Sequence, residues 1–268
     1  MSKKTKYSLL SAFVLIVIYS FNLYIEQKET IQKVEEGAVV KEDTNLSFLP
    51  TSTTQLVVHH EGYSLSYSEP HEQAEWVAYE LKASDLSSNN FERPYFEIDH
   101  AVKTQAASWR NYKNSGYDRG HLCPAGDRRK SKALFDETFL TSNISPQEHE
   151  FNAGIWNRLE QKVRYWAKKY DGVYVVTGGV LESNLKTIGN ENVAVPNQFY
   201  KIVLDYNNGN PKLIGFLLPH VDSNRSLTNY VVSVDEIETL TGIDFFPQLD
   251  DAVEERLEAS TNYRNWKF

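Results

Sequence analysis

Tyr117-Asp118-Arg119-Gly120-His121-Leu122-Cys123-Pro124-Ala125 gathers a proton acceptor, a guanidinium and two backbone-shaping residues into one short stretch. Histidine titrates nearest neutral pH, and beside Arg119 it suits activation of water against an anionic substrate. Gly120 permits tight or unusual backbone geometry, and Pro124 constrains the exit. Taken alone, the stretch reads as a turn carrying a partly buried structural histidine. Its surroundings decide between that reading and a catalytic one.

The chain of 268 residues is 41% hydrophobic and 13% aromatic, enough for one large or two small cored domains. A net charge of -8 argues against a general nucleic-acid coat, because nonspecific phosphate binding is driven by Lys and Arg. The charge is uneven, however. Lys103 to Lys132 holds eight Lys/Arg against two Asp, whereas Asp235 to Glu258 holds nine acids and Arg256 alone. A basic surface can therefore sit on an acidic protein. The single cysteine, Cys123, excludes an internal disulfide and a Cys-rich metal cluster.

Lys3, Lys4 and Lys6 precede an apolar run, Tyr7 to Ile25, with no small-x-small cleavage site after it. Residues 1-25 are therefore expected to be a membrane anchor that is retained, with a removed signal as the alternative. The lysines should stay cytoplasmic and the rest be exported, to the periplasm or another extracytoplasmic space, or secreted if the segment is cleaved. Residues 26-54, charged and then Ser/Thr-rich, read as a stalk. The globular domain is placed at 55-268, with His59 and His60 in a solvated loop at its entry.

Two strands are expected between Tyr63 and Leu81, broken at Pro70. Asp136 to Gln147 reads as a short strand ending in a helix start, with Ser145 as N-cap and Pro146 in the first turn. Phe151, Ile155, Leu159, Val163, Trp166 and Tyr170 then recur every three to four residues, which predicts an amphipathic helix. Asn152 and Glu160, eight positions apart, would be offset by about 80° on it and can border one cleft. Val173 to Thr177 reads as a strand closed by a turn at Gly178-Gly179. Further strands are expected at Val193 to Tyr206 and Leu213 to Leu218, with a turn over Asn207 to Pro211. His220 reads as a loop histidine, and short helices are expected at Val234 to Leu240 and Asp250 to Ser260.

Asp118-Arg119-Gly120-His121, Ser142-Asn143-Ile144-Ser145-Pro146-Gln147, Asn152, Trp156, Leu159-Glu160, Val176-Thr177-Gly178 and Leu240 to Pro247 occur in this order. Together they resemble the DNA/RNA non-specific endonucleases, a group that includes secreted bacterial nucleases and mitochondrial endonuclease G. The resemblance covers about Tyr63 to Leu257. It implies an α+β, mixed nuclease fold with a central antiparallel sheet and a ββα-metal active-site motif, here preceded by the N-terminal membrane segment. By motif, His121 matches the general base, Asn152 the direct magnesium ligand and Glu160 the residue that holds metal-bound water. Arg119 occupies the motif's own arginine position, Asn143 matches an asparagine near the histidine and metal, and Arg93 an upstream phosphate-binding arginine. Asp118 is assigned to holding the turn. The implied cofactor is Mg2+, with Mn2+ as the alternative ion, and the implied partners are DNA and RNA substrates. The family contains dimers, so a homodimer is a partner the resemblance allows; no self-complementary surface or inhibitor-binding surface is legible.

The chemistry is consistent with the resemblance. Magnesium takes oxygen ligands and keeps much of its water, so one amide oxygen and a substrate phosphate can suffice. Contacts to phosphate carry no base information, hence broad sequence tolerance. A Cys123–His121 thiol pair is rejected, since an i, i+2 spacing gives no productive geometry and a small packed residue explains Cys123. A two-metal site would need several converging carboxylates. Two rivals stay open: a catalytically silent nucleic-acid or surface binding module on the same fold, and a phosphodiesterase for a diester other than nucleic acid.

Overall fold

The chain is described by a computed structural model covering residues 48–206 and 210–268. Strands β1 (Val57–His59), β2 (Ser64–Ser68) and β3 (Gln73–Leu81) open the fold, and Pro70 lies in the short 3-10 turn between β2 and β3. Next come β4 (Asp118–His121), α1 (Lys132–Glu137) and β5 (Ile144–Gln147). One long helix, α2, follows in three parts: His149–Phe151, a π-helical Asn152–Trp156, and Asn157–Lys169. The remaining elements are β6 (Val173–Gly179), β7 (Lys186–Ile188), β8 (Val193–Val195), β9 (Gln198–Asp205), β10 (Lys212–Pro219), β11 (Val231–Val232), α3 (Val234–Thr241) and α4 (Asp251–Glu258).

The central sheet runs β1-β2-β3-β6-β9-β10-β11, each neighbouring pair antiparallel. Its middle strands bury both faces. Along β3, Val77, Tyr79 and Leu81 enter a core shared with Phe151, Trp156 and Trp166 of α2. Trp76 and Ala78 enter a second core with Ile237 of α3, Leu257 of α4, Phe245 and Phe246. The two-residue side-chain period of a strand thus makes three layers, with α2 on one face and α3 and α4 on the other. β4 and β5 form a separate two-stranded ladder, as do β7 and β8.

Several expectations change. The Asp118–His121 stretch is a strand rather than a turn, and Ser145 and Pro146 belong to its partner β5, with Pro146 opposite Arg119. Proline is tolerated because this ladder has only two strands and its missing N–H costs no inner pairing. The helix instead begins at His149, and Asp136 lies in α1 rather than in a strand. Gly178 and Gly179 sit inside β6, opposite Tyr200 and Phe199, where the Tyr200 and Pro196 side chains occupy the space a Cβ would take. Pro196 splits the expected strand at Val193 into β8 and β9. His60 is held rather than solvated, its Nε2 lying 2.8 Å from Asp99. The expected membrane segment, the stalk up to residue 47 and residues 207–209 of the expected turn lie outside the described residues. Among the described residues, no helix is long and apolar enough to cross a membrane.

The residues just before Gln55, expected to end a stalk, are part of the folded body. Phe48 is buried against Tyr174, Tyr206 and Phe246. Trp76 donates through Nε1 to the Thr51 carbonyl at 2.9 Å, and the Thr53 N–H donates to Glu75 at 3.0 Å. Phe48→Ala should therefore destabilise the domain by about 3 kcal/mol, read as a lowered urea midpoint. An unchanged midpoint would show that this segment adds nothing to the fold.

Candidate active site

The ladder of β4 and β5 delivers the first half of a cleft. Alternation along β4 turns Arg119 and His121 to the same side, and both line a cavity of about 450 Å³. Gly120 lies opposite Ser145, and a Cβ there would run into the Gln147 side chain, so glycine leaves that buried side chain its place. Beyond His121 the chain is clamped by Asn143. Its Oδ1 accepts from the Cys123 N–H at 2.8 Å, and its Nδ2 donates to the carbonyls of Cys123 at 2.9 Å and Thr138 at 2.8 Å.

The kinked start of α2 delivers the second half. Gly154 has non-helical angles, φ -92 and ψ -107, and a Cβ there would meet Asp222. Asp222 Oδ1 in turn accepts from the Ile155 N–H at 3.3 Å. A π segment takes up about one extra residue, so the eight steps from Asn152 to Glu160 act as roughly seven, close to two full turns. The offset of about 80° expected for a regular helix shrinks to about 20°. Both side chains line the same cavity. His220, expected in a loop, is buried beneath this helix start. Its Nε2 accepts from the Glu148 N–H at 2.8 Å, while Nδ1 lies 2.8 Å from the Pro196 carbonyl, which fixes a neutral tautomer.

Asp118 ties the halves together. Its Oδ2 accepts from Asn152 Nδ2 at 3.0 Å and sits 2.9 Å from His149 Nδ1. Because the amide nitrogen is turned to Asp118, the amide oxygen of Asn152 is left without a hydrogen bond among the described residues. His149 is held above its ordinary pKa by the hydrogen bond to and charge of Asp118.

His121 stands between Phe96 and Phe139, with ring centroids 5.6 and 5.0 Å away, and its buried Nε2 meets no protein partner. Burial, and then the Arg93 guanidinium, push its pKa down to about 3. The ring is therefore neutral at ordinary pH and has an acceptor nitrogen to offer. Arg119 lies over Phe96 at 5.2 Å and Trp109 at 5.8 Å, and Arg93 over Phe139 at 5.4 Å. Aromatic faces hold these cations without consuming their donors.

Glu160 lies in a chain of charges. Arg164 reaches it at 3.3 Å through Nη2 and reaches the buried Asp127 at 2.5 Å through Nε, while Tyr79 donates to Asp127 at 2.9 Å. Burial pushes the Glu160 carboxyl up to about 7, against the pull of Arg164 and Lys201. Lys201 is itself buried, 4.6 Å over the Trp156 ring, and burial lowers it to about 8.

The cleft thus collects Arg93, Arg119, His121, Asn152 and Glu160 from the residues singled out in the sequence, together with Arg129 and Arg164, which were missed. Asn143 is not among its lining residues. It is fully buried, with its amide holding the backbone of Cys123 and Thr138. Arg129 was legible only as part of the basic Lys103 to Lys132 region, and Arg164 only as the i+4 partner of Glu160. An oxygen pair of this kind, one amide oxygen free and one carboxylate behind it, fits a hard divalent ion that keeps most of its water.

Residues 43–252 match the family described as DNA/RNA non-specific endonuclease. The mitochondrial nuclease EXOG of Xenopus laevis is 34% identical over 205 residues, covering 70% of this chain and 57% of its own length. Nuclease C1 of Cunninghamella echinulata var. echinulata is 34% identical over 225 residues, covering 76% and 88%. A crystal structure of the EndoG/EndoGI complex, described as giving the mechanism of EndoG inhibition, superposes with TM-score 0.68 at 32% identity, covering 72% of this chain and 86% of that one. The match spans less than two thirds of the mitochondrial EXOG relatives, 57% in Xenopus laevis and 59% in Danio rerio.

The depressed pKa of His121 has a consequence for stability. Between pH 6.5 and about 3, the unfolded chain binds a proton on His121 that the folded chain refuses. The native advantage from this group is therefore complete above pH 6.5 and is lost as pH falls, by up to about 1.4 kcal/mol per pH unit. Urea unfolding of the chain and of His121→Ala at pH 7, 6 and 5 should show the difference between them drifting toward the variant as pH falls. A difference independent of pH would contradict the assignment.

Proposed function

The chain belongs to the DNA/RNA non-specific endonuclease family, and we propose that it hydrolyses phosphodiester bonds of DNA and RNA with little base preference, using a divalent ion. The observation that carries this reading is the convergence of His121, Asn152 and Glu160 on one cleft lined by Arg93, Arg119, Arg129 and Arg164. Asn152, through the amide oxygen that Asp118 leaves free, would hold an ion of the magnesium type. When bound, that ion supplies positive charge at the scissile phosphate and the leaving oxygen.

The side chains divide the remaining work. His121, neutral and without a protein partner at Nε2, accepts a proton from water as the water oxygen bonds to phosphorus and the bond to the leaving oxygen breaks. Arg119 and Arg93 neutralise the nonbridging oxygens, whose charge grows in the transition state. Glu160, beside the same space, accepts hydrogen bonds from water near Asn152. Arg129 and Arg164 extend the positive lining toward Lys168 along an adjoining depression, a path for the flanking phosphates of a strand. Such contacts engage phosphate rather than base edges, and water attack needs no 2′-OH, so both nucleic acids are substrates. We also propose that residues 1-25 anchor the chain with the domain outside the cytoplasm.

Digestion of plasmid and RNA by the chain should require added magnesium or manganese, stop with EDTA, and fall by roughly 10²- to 10⁴-fold in His121→Ala. Undiminished digestion by that variant would overturn the mechanism. Binding without digestion by the magnesium-supplied wild type would make the protein a binding module instead. For the anchor, sequencing the mature N-terminus should find it before Ile25; a start beyond that residue would mean a removed signal.

A further inference from the structure

On the face of the sheet opposite α2, helices α3 and α4 bring Asp235, Glu238 and Glu258 together. One carboxylate oxygen from each lies within 4.8 Å of the others. Glu238 is oriented by the backbone, its Oε1 accepting from the Phe245 N–H at 2.8 Å. Asp235, in the first turn of α3, is exposed and leaves one side of the cluster open to water.

Glu258 sets this cluster apart from an ordinary acidic surface. It is only 6% exposed, and its buried Oε1 accepts no hydrogen bond from any described group. The charged groups around it, Glu238, Glu254, Asp235 and Asp244, are all acidic. No ion pair involving Asp235, Glu238 or Glu258 occurs among the described residues. A buried carboxylate with neither donor nor countercharge is costly, and converging like charges add to that cost. A cation between the three side chains removes both costs at once.

The ligand set indicates which cation. All three ligands are hard oxygens, which excludes the softer metals that select sulfur or imidazole. Calcium–oxygen distances of about 2.3–2.6 Å are close to the spacing this trio leaves at its centre, so one calcium reaches all three with at most a small inward shift of the side chains. Calcium also tolerates irregular coordination completed by water, which the open Asp235 side admits. We propose that Asp235, Glu238 and Glu258 form a calcium site, separate from the catalytic cleft, that fastens α4 to α3.

The test uses the full chain carrying Asn152→Ala, so that an ion in the cleft does not contribute, after removal of metal with chelator. Calcium in about hundredfold excess over its Kd should raise the thermal midpoint by about 5 °C or more, and magnesium at the same concentration by much less. Asp235→Asn and Glu238→Gln, combined in that background, should abolish the calcium shift. Glu258→Gln should also abolish it while raising the midpoint in chelator, because it relieves repulsion. With Asn152 intact, Glu258→Gln should leave magnesium-supported digestion unchanged. No calcium shift in the Asn152→Ala chain, an equal shift with magnesium, or a shift surviving the Asp235→Asn/Glu238→Gln pair would each overturn the proposal.

Discussion

The carboxylate of Asp118 fastens the end of the β4–β5 ladder to the start of the helix that follows it. It leaves the β4–β5 ladder carrying Arg119 and His121, and it accepts from Asn152 Nδ2 at the start of α2. A carboxylate can only accept, so the amide must present its nitrogen to Asp118 and its oxygen elsewhere. That single polarity makes Asn152 an oxygen donor to the cleft. The surrounding geometry depends on the same juncture: Gly120 makes room for the Gln147 side chain, Asn143 clamps the chain after His121, and His220 pins the backbone of Glu148 just before α2.

The cleft's electrostatics follow from uneven burial. His121 is kept neutral by its aromatic walls and by Arg93, while Glu160 is buried yet tied to Arg164, which is shared with Asp127. Leaving one buried charge unpaired is more costly than burying the set, so Asp127, Arg164, Glu160 and Lys201 stand or fall together. The surplus of guanidiniums at the rim explains how a protein of net charge -8 presents a positive site. Its negative charge is concentrated on the opposite side of the sheet, on α3 and α4.

Much of this was legible in the sequence wherever a local pattern carried the information. The three-to-four-residue spacing from Phe151 to Trp166 reports α2, and the motif order from Asp118 to Glu160 reports which side chains share a cleft. Long-range partners were not legible. Nothing near Asp118 says that its acceptor role is directed at Asn152, and nothing near Asn143 says that its amide oxygen and both amide hydrogens are engaged by the backbone of Cys123 and Thr138. Ser145 and Pro146 mimic a helix start because the same residue types suit a two-stranded ladder whose partner lies far back in the chain. The π segment was hidden for a similar reason, since Gly154 reads as a weak helix residue until Asp222 is seen against it.

On the function proposed above, an ion held at Asn152 would sit beside His121 in a single site. The most direct measurement is the line width of the His121 imidazole resonance, in labelled chain titrated with manganese, whose unpaired electrons broaden nearby nuclei. Broadening of His121 in the wild type, with the signal staying sharp in Asn152→Ala at the same manganese concentration, is the predicted result. Equal broadening in both, or none in either, would contradict the account.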